Sequence, residues 1–296
     1  MASSSTLDYS KPFSQLLKDA TKDIHDTISK SEGAKALTSG TLQRDEYVRY
    51  LIMLWYLYIT LENALDAHAN HPALALTYNP SVLARAPSIS ADIASLLQTT
   101  AWASHPLHLS MHPLPKPLLD YIARIQAIAE SDDPTPLLAH SYLRYLGDLS
   151  GGQFIKRTIL KSYQLQDHAI TAYDFPKPGG PAGEIADQGD ILKLKTIFKE
   201  RMDESITTPE AKRLVFEETK VAYRFNAQLL DLIRPSPIQI IDTPAKALAP
   251  QGSPLLGVGV GLFLIHTYLM YAGRTNASLG CNFLSLFGNR GLPISA

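Results

Sequence analysis

The sequence has a single cysteine, Cys281, in 296 residues. One cysteine cannot form an intramolecular disulfide, which excludes the disulfide-stapled folds of small secreted proteins and fits a reducing compartment. The N-terminus, MASSSTLDYSKPF, lacks the basic and apolar stretches of a signal peptide, and no arginine precedes Arg44. We therefore expect neither a secretory signal nor a cleaved mitochondrial leader.

The chain also lacks a charge of one sign in excess. Its formal net charge is -1, and charged residues make up only 19% of the sequence. With so small a net charge, the protein has no overall positive electrostatic field that would attract nucleic acid or anionic lipid. We therefore expect no nucleic-acid partner. Any electrostatic recognition must come from a local patch.

Strand patterns and internal repeats are absent, whereas apolar residues recur at three- and four-residue spacing. The sequence therefore predicts an all-α fold. The predicted helices cover residues 13–28, 44–68, 118–129, 136–165, 191–202 and 209–233. Residues 70–117 mix short helical pieces with proline-marked turns, and residues 171–188 are rich in proline and glycine, which is typical of a loop.

Composition divides the chain into five segments. They are a serine-rich disordered start (1–10), one helical domain (11–233), a proline-rich linker (234–253), an uncharged helix (254–273) and a short tail (274–296). Twenty helical residues extend about 30 Å, the thickness of the hydrocarbon core of a bilayer. We expect residues 254–273 to anchor the helical domain on the cytosolic face of a membrane, and a buried core helix is the alternative.

The segment 142–153, YLRYLGDLSGGQ, places glycines inside a helical pattern. Gly147 and Gly151 lie on one helical face, and each interior glycine costs roughly 0.5–1 kcal/mol relative to alanine. Either another helix packs very closely here, or the backbone approaches a flat ligand; the glycines alone favour packing. Asp148 lies beside this face, where an acid normally has hydrogen-bond partners.

His25 lies at the edge of the apolar stripe of the first predicted helix, with Lys18 and Lys22 on the same helix. A histidine in this position is either an ordinary boundary residue or a ligand. The two lysines are either a solvated face or the binding site of an anionic group.

Two of these segments, LLKDATKDIHDTI (16–28) and YLRYLGDLSGGQ, resemble the proximal and distal helices of heme oxygenases of the eukaryotic, biliverdin-forming type. The resemblance extends through FKERMD (198–203) and VAYRFN (221–226) and covers residues 13–233. It implies an all-α heme oxygenase-like domain with a C-terminal transmembrane helix.

The resemblance also implies roles for individual residues. His25 would be the axial ligand of the heme iron, and Gly147 and Gly151 would let the distal backbone pass close to the porphyrin. Asp148 would order waters on the distal side. A supporting network would be formed by Tyr58, Tyr121, Arg144 and Asn226. The heme propionates would be met by Lys18, Lys22, Tyr142, Lys195 and Lys199.

The implied activity is the cleavage of heme, both substrate and cofactor, to biliverdin, carbon monoxide and ferrous iron. The reaction would consume dioxygen and electrons from NADPH. The electrons would be delivered by cytochrome P450 reductase at the endoplasmic reticulum. Two alternatives stay open: a non-catalytic heme-binding or heme-sensing membrane protein on the same fold, and a helical scaffold without heme. One departure from mammalian members is Ser29, where they carry a carboxylate four residues after the ligand histidine.

Overall fold

The computed structural model describes residues 8–233. This part of the chain contains twelve α-helices. In chain order they are α1 (Phe13–Ala20), α2 (Lys22–Ile28), α3 (Glu32–Ser39), α4 (Arg44–Ala67), α5 (Pro80–Leu83), α6 (Ala86–Leu97), α7 (Pro106–Leu109), α8 (Lys116–Ala129), α9 (Leu137–Gly147), α10 (Gln153–Ser162), α11 (Gln188–Ser205) and α12 (Pro209–Asp231).

Helix α4 lies at the centre of the fold and packs against α6, α8 and α9, while α12 packs across α8 and α9. Because α4 has neighbours on several sides, it buries residues around most of its circumference. Its fully buried side chains include Tyr47, Leu51, Leu57 and Tyr58. Complete burial of such an apolar side chain contributes roughly 1.5–3 kcal/mol, so this helix supports the elements packed on it.

The first predicted helix, 13–28, is in fact two helices. Thr21 leaves helical geometry with φ -104° and ψ 3°, while its buried hydroxyl donates to the carbonyl oxygen of Leu17 at 2.7 Å. A threonine hydroxyl that bonds the preceding turn competes with helix continuation. The break separates the apolar α1 from α2, which has no buried residue.

The predicted helix 136–165 is also interrupted. Between α9 and α10 lies a π-helical turn, Asp148–Gly152. Single π turns inside α-helices are rare and are frequently found at functional sites. Gly151 and Gly152 have no Cβ, so no side chain hinders the altered backbone geometry.

The remaining long helices agree with the predicted ranges to within a few residues, and the all-helical prediction is confirmed for residues 8–233. In that range the predicted loop 171–188 contains an isolated β-bridge between Pro176 and Ile185. No helix within 8–233 has the length and apolar character needed to cross a membrane. The predicted linker 234–253, membrane helix 254–273 and tail 274–296 lie outside the described residues, as do residues 1–7.

Candidate active site

The three glycines of the distal segment have different surroundings. A Cβ added at Gly147 or Gly151 would meet nothing within 4 Å, and both glycines are exposed. A Cβ on the buried Gly152 would lie 2.6 Å from Cδ1 of Tyr173. Close packing therefore explains Gly152 but is wrong for Gly147 and Gly151, which border open space.

Asp148 lies between these two glycines in the chain and, unlike them, is buried, with 5% of its surface exposed. The Tyr58 hydroxyl donates to its Oδ2, and Nη2 of Arg144 lies 3.7 Å from its Oδ1. Burial raises the pKa of Asp148, although the Arg144 charge and the Tyr58 hydrogen bond oppose this shift. The carboxyl group is therefore held in place by two partners.

Arg144 joins two hydrogen-bond chains. Its Nε donates to the Tyr58 hydroxyl at 3.2 Å, and its Nη1 donates to Oδ1 of Asn226 at 2.8 Å. Burial alone would lower the pKa of Arg144, but Tyr58 and Asp148 raise it well above its usual value. Arg144 stays protonated and can only donate hydrogen bonds. The Tyr58 hydroxyl and Oδ1 of Asn226 must therefore accept from it, which fixes the donor and the acceptor at each later step.

The second chain runs from Asn226 to a buried histidine. Nδ2 of Asn226 donates to the Tyr121 hydroxyl at 3.0 Å, and that hydroxyl lies 3.3 Å from Nδ1 of His140. Nε2 of His140 lies 3.0 Å from Oε1 of Glu218. Burial lowers the pKa of His140, so the ring is neutral. Since a carboxylate only accepts, the proton of the ring lies on Nε2 and Nδ1 accepts from Tyr121.

Glu218 is buried and connects the network to Arg124 at the protein surface. Nε of Arg124, whose side chain is 43% exposed, donates to Oε1 of Glu218 at 3.0 Å. Burial opposes ionisation of Glu218, but hydrogen bonds from His140 and Arg124 lower its pKa. None of the residues His140, Glu218 and Arg124 was predicted from the sequence. A signal was present, because His140 lies one helical turn before Arg144, and Glu218 two turns before Asn226.

The four residues predicted as a supporting network come from four helices and are joined to Asp148 by hydrogen bonds. Tyr58 comes from α4, Tyr121 from α8, Arg144 from α9 and Asn226 from α12. Tyr142 is buried on α9, the same helix as Arg144.

His25 has a very different environment. It lies on α2 with 61% of its side chain exposed, and its Nδ1 is 3.6 Å from Oδ1 of Asp26. Ser29 uses its hydroxyl to donate to the backbone oxygen of Asp26 at 3.0 Å. The carboxylate near the imidazole therefore comes from the adjacent residue, Asp26, rather than from the position four residues later.

The four lysines predicted to meet an anion lie on two regions that contact each other. Lys18 and Lys22 lie on α1 and α2, and Lys195 and Lys199 lie four residues apart on α11, against which α1 packs. Burial lowers the pKa of Lys195, and the charge of Lys199 lowers it further. Burial also lowers the pKa of Lys199. An anionic ligand would relieve this repulsion.

Most of the chain matches a known family. The family model described as heme oxygenase matches residues 11–231. The chain belongs to the heme oxygenase family of heme-degrading enzymes. It is 28% identical to heme oxygenase 1 of Homo sapiens over 243 residues, 81% of this chain and 77% of that protein. It is 30% identical to heme oxygenase 1 of Bos taurus over 220 residues, 74% of this chain and 70% of that protein.

Solved structures show the same all-helical fold. Heme oxygenase-2 from Synechocystis sp. PCC 6803, in complex with heme and NO, has a TM-score of 0.64 at 26% identity, covering 75% of this chain and 84% of that chain. Heme oxygenase from Leptospira interrogans also has a TM-score of 0.64, at 27% identity, covering 74% of this chain and 98% of that chain.

The residues present fit a heme ligand. Gly147 and Gly151 leave space in which a flat macrocycle can approach the backbone, and the exposed His25 offers an imidazole ligand. The lysine pair on α11 suits a propionate. Asp148 supplies a fixed carboxyl group next to the glycine face.

Proposed function

We propose that this chain cleaves heme to biliverdin, carbon monoxide and ferrous iron, using dioxygen and NADPH electrons delivered by a cytochrome P450 reductase. The observation that carries the proposal is a buried Asp148, fixed by Tyr58 and Arg144 beside two glycines that border open space. A protein that only binds heme has no need of such a network.

Binding and orientation of heme are assigned to residues outside the network. His25 would ligate the iron through an imidazole nitrogen, with Asp26 as the nearby carboxylate that would orient the ring. Lys18, Lys22 and the α11 lysine pair meet the propionates. Cations at fixed positions would restrict the in-plane rotation of the macrocycle and so would decide which meso carbon is oxidised.

The distal residues control water and protons. When bound, heme supplies the iron that binds and reduces dioxygen. Asp148 holds water molecules beside the bound macrocycle, and Tyr58 and Arg144 keep its carboxyl group in one orientation. Because Gly147 and Gly151 carry no side chain, neither position places an acidic or basic group beside the macrocycle.

One experiment separates this activity from heme binding alone. Hemin is added to the full chain, followed by NADPH and cytochrome P450 reductase in air, with a second sample lacking the reductase. We expect a Soret band that decays only with reductase, together with carbon monoxide and bilin absorbance. A Soret band that persists in both samples would instead support the non-catalytic heme-binding protein, and no Soret band would contradict both functions.

We also propose that residues 254–273 anchor the protein in the endoplasmic reticulum membrane with the helical domain in the cytosol. Support comes from the twenty residues without a charged side chain that follow a proline-rich stretch. A shared membrane would raise the effective concentration of reductase near the oxygenase. Full-length chain should resist carbonate extraction, whereas a 1–233 fragment should be released; extraction of both would disprove anchoring.

A further inference from the structure

Two histidines come together far along the chain from the proposed heme ligand. His108 lies in α7 and His112 follows in the next turn. Their Nε2 atoms are 3.4 Å apart, and their rings cross at 77° with centroids separated by 4.8 Å. The proposed function uses neither residue.

The hydrogen bonds of His108 determine which of its nitrogens has a lone pair. Its Nδ1 lies 2.7 Å from the backbone oxygen of Ala103. A carbonyl oxygen only accepts, so Nδ1 carries the proton, and Nε2 of the neutral ring is an acceptor. Histidines that bind metals are commonly oriented by this donation of the second ring nitrogen to a carbonyl.

The separation of the two Nε2 atoms distinguishes a hydrogen bond from a shared ion. At 3.4 Å they are farther apart than the usual 2.7–3.2 Å range of hydrogen bonds that nitrogen donates. In a tetrahedral zinc site, bonds of about 2.0–2.1 Å place two ligand nitrogens about 3.3–3.4 Å apart. The observed distance therefore fits two ligands of one ion.

The surroundings of the pair allow a cation to bind. His112 is exposed, so an ion can enter from solvent, whereas His108 is buried and rigidly placed. Nε2 of His108 accepts a hydrogen bond from the Tyr56 hydroxyl at 2.9 Å, so an ion that takes this lone pair would replace that hydrogen bond and leave the hydroxyl oxygen beside it. The neighbouring cation, Arg49, donates to Ser110 at 3.0 Å.

We infer that His108 and His112 form a binding site for a divalent transition-metal ion of the zinc class, with the Tyr56 hydroxyl beside the ion and water completing its coordination. Imidazole ligands suit Zn²⁺, Cu²⁺, Ni²⁺ and Fe²⁺. Zn²⁺ is the probe of choice because it has no redox chemistry. The site is independent of the proposed heme chemistry.

The test is calorimetric titration of Zn²⁺ into the heme-free full chain, its His112→Ala variant and the matched control His168→Ala, another exposed histidine. Loss of a ligand should cost more than the roughly 10–100-fold that loss of a supporting hydrogen bond costs. We therefore expect at least that weakening in His112→Ala and unchanged binding in His168→Ala. Equal binding in all three proteins, or equal loss in both variants, would overturn the site.

A second measurement does not depend on calorimetry. Zn²⁺ should raise the thermal midpoint of the wild type and of His168→Ala, because an ion that binds only the folded state stabilises it. His112→Ala should show a much smaller rise. Zinc X-ray absorption of the loaded wild type should show imidazole scattering, and its absence would contradict the assignment. Since His112 is exposed, its replacement does not disturb the core.

Discussion

The two sides of the proposed heme site differ in how completely the protein chain alone builds them. Around Asp148, side chains from α4, α8, α9 and α12 form continuous hydrogen bonds as far as Glu218. Around His25, the helix α2 buries no residue, and the imidazole is largely exposed. In the proposed site the distal side is therefore preorganised, whereas the proximal side would be completed by the ligand.

This difference assigns separate roles to the two sides. Groups that act on a reaction are most effective when they are already oriented before the ligand arrives. A segment with little buried surface gains stability from a ligand that covers it. Changes on the proximal side should therefore alter heme binding, and changes in the network should alter turnover at constant binding.

The largest effect is expected for His25→Ala, which removes the proposed iron ligand. Turnover should fall on the order of a thousandfold or more, as when an essential group is removed. The Soret spectrum of the hemin complex and the rate of bilin formation measure the loss. Added free imidazole should restore part of both. A normal histidine-ligated spectrum in the variant would assign the iron to another histidine.

Asp148→Ala should separate turnover from binding. Loss of a residue that positions protons costs about 10²–10⁴-fold in rate, while hemin affinity should stay unchanged because the network does not hold the ligand. Bilin formation and hemin titration are measured in parallel. A fall in affinity that equals the fall in rate would show that the distal side is not separate from binding.

Gly152 in the π turn and Gly147 at the end of α9 test the open face directly. Gly152→Ala should destabilise the fold by about 1–3 kcal/mol, since its Cβ would overlap Tyr173. Gly147→Ala should stabilise the heme-free fold by about 0.5–1 kcal/mol but weaken hemin binding. Urea midpoints and hemin titrations measure the two effects. Equal destabilisation by both variants would mean that Gly147 is a packing residue.

The double variant Lys195→Gln/Lys199→Gln should weaken hemin binding by about tenfold, or about 1.4 kcal/mol, because partly exposed cations are screened by solvent. Affinity for the dimethyl ester of heme should not change. Lys193→Gln, on the same helix but paired with Asp190 at 3.0 Å, is the matched control. If the affinities for heme and for its dimethyl ester fell equally, the two lysines would not bind the propionates.

The smallest effect concerns pH. Burial lowers the pKa of His140 in the folded protein, while the unfolded chain protonates near pH 6.5. As pH falls below that value the unfolded state binds the proton first, so the free energy of unfolding decreases. Urea midpoints between pH 7 and pH 5 should fall more steeply for the wild type than for His140→Gln. Parallel slopes would show that His140 does not contribute.

Periodicity predicts the long helices well, because apolar residues recur in them at three- and four-residue spacing. It does not predict the ends at Thr21 and Asp148, where a hydroxyl bond and a π turn override the pattern. Motif resemblance predicts the residues around Asp148. It misses His140 and Glu218, because a buried pair is visible only when α9 and α12 are packed together.

The π turn also limits how the chain can change in length. Removing one residue from Asp148–Gly152 would rotate everything downstream by about 100° relative to α9. Gln153, whose Nε2 donates to the backbone oxygen of Tyr173 at 2.7 Å, would then face elsewhere. Insertions and deletions in these five residues should therefore disrupt the fold. Between residues 177 and 184 they should be tolerated, because an exposed turn can change length without moving the helices.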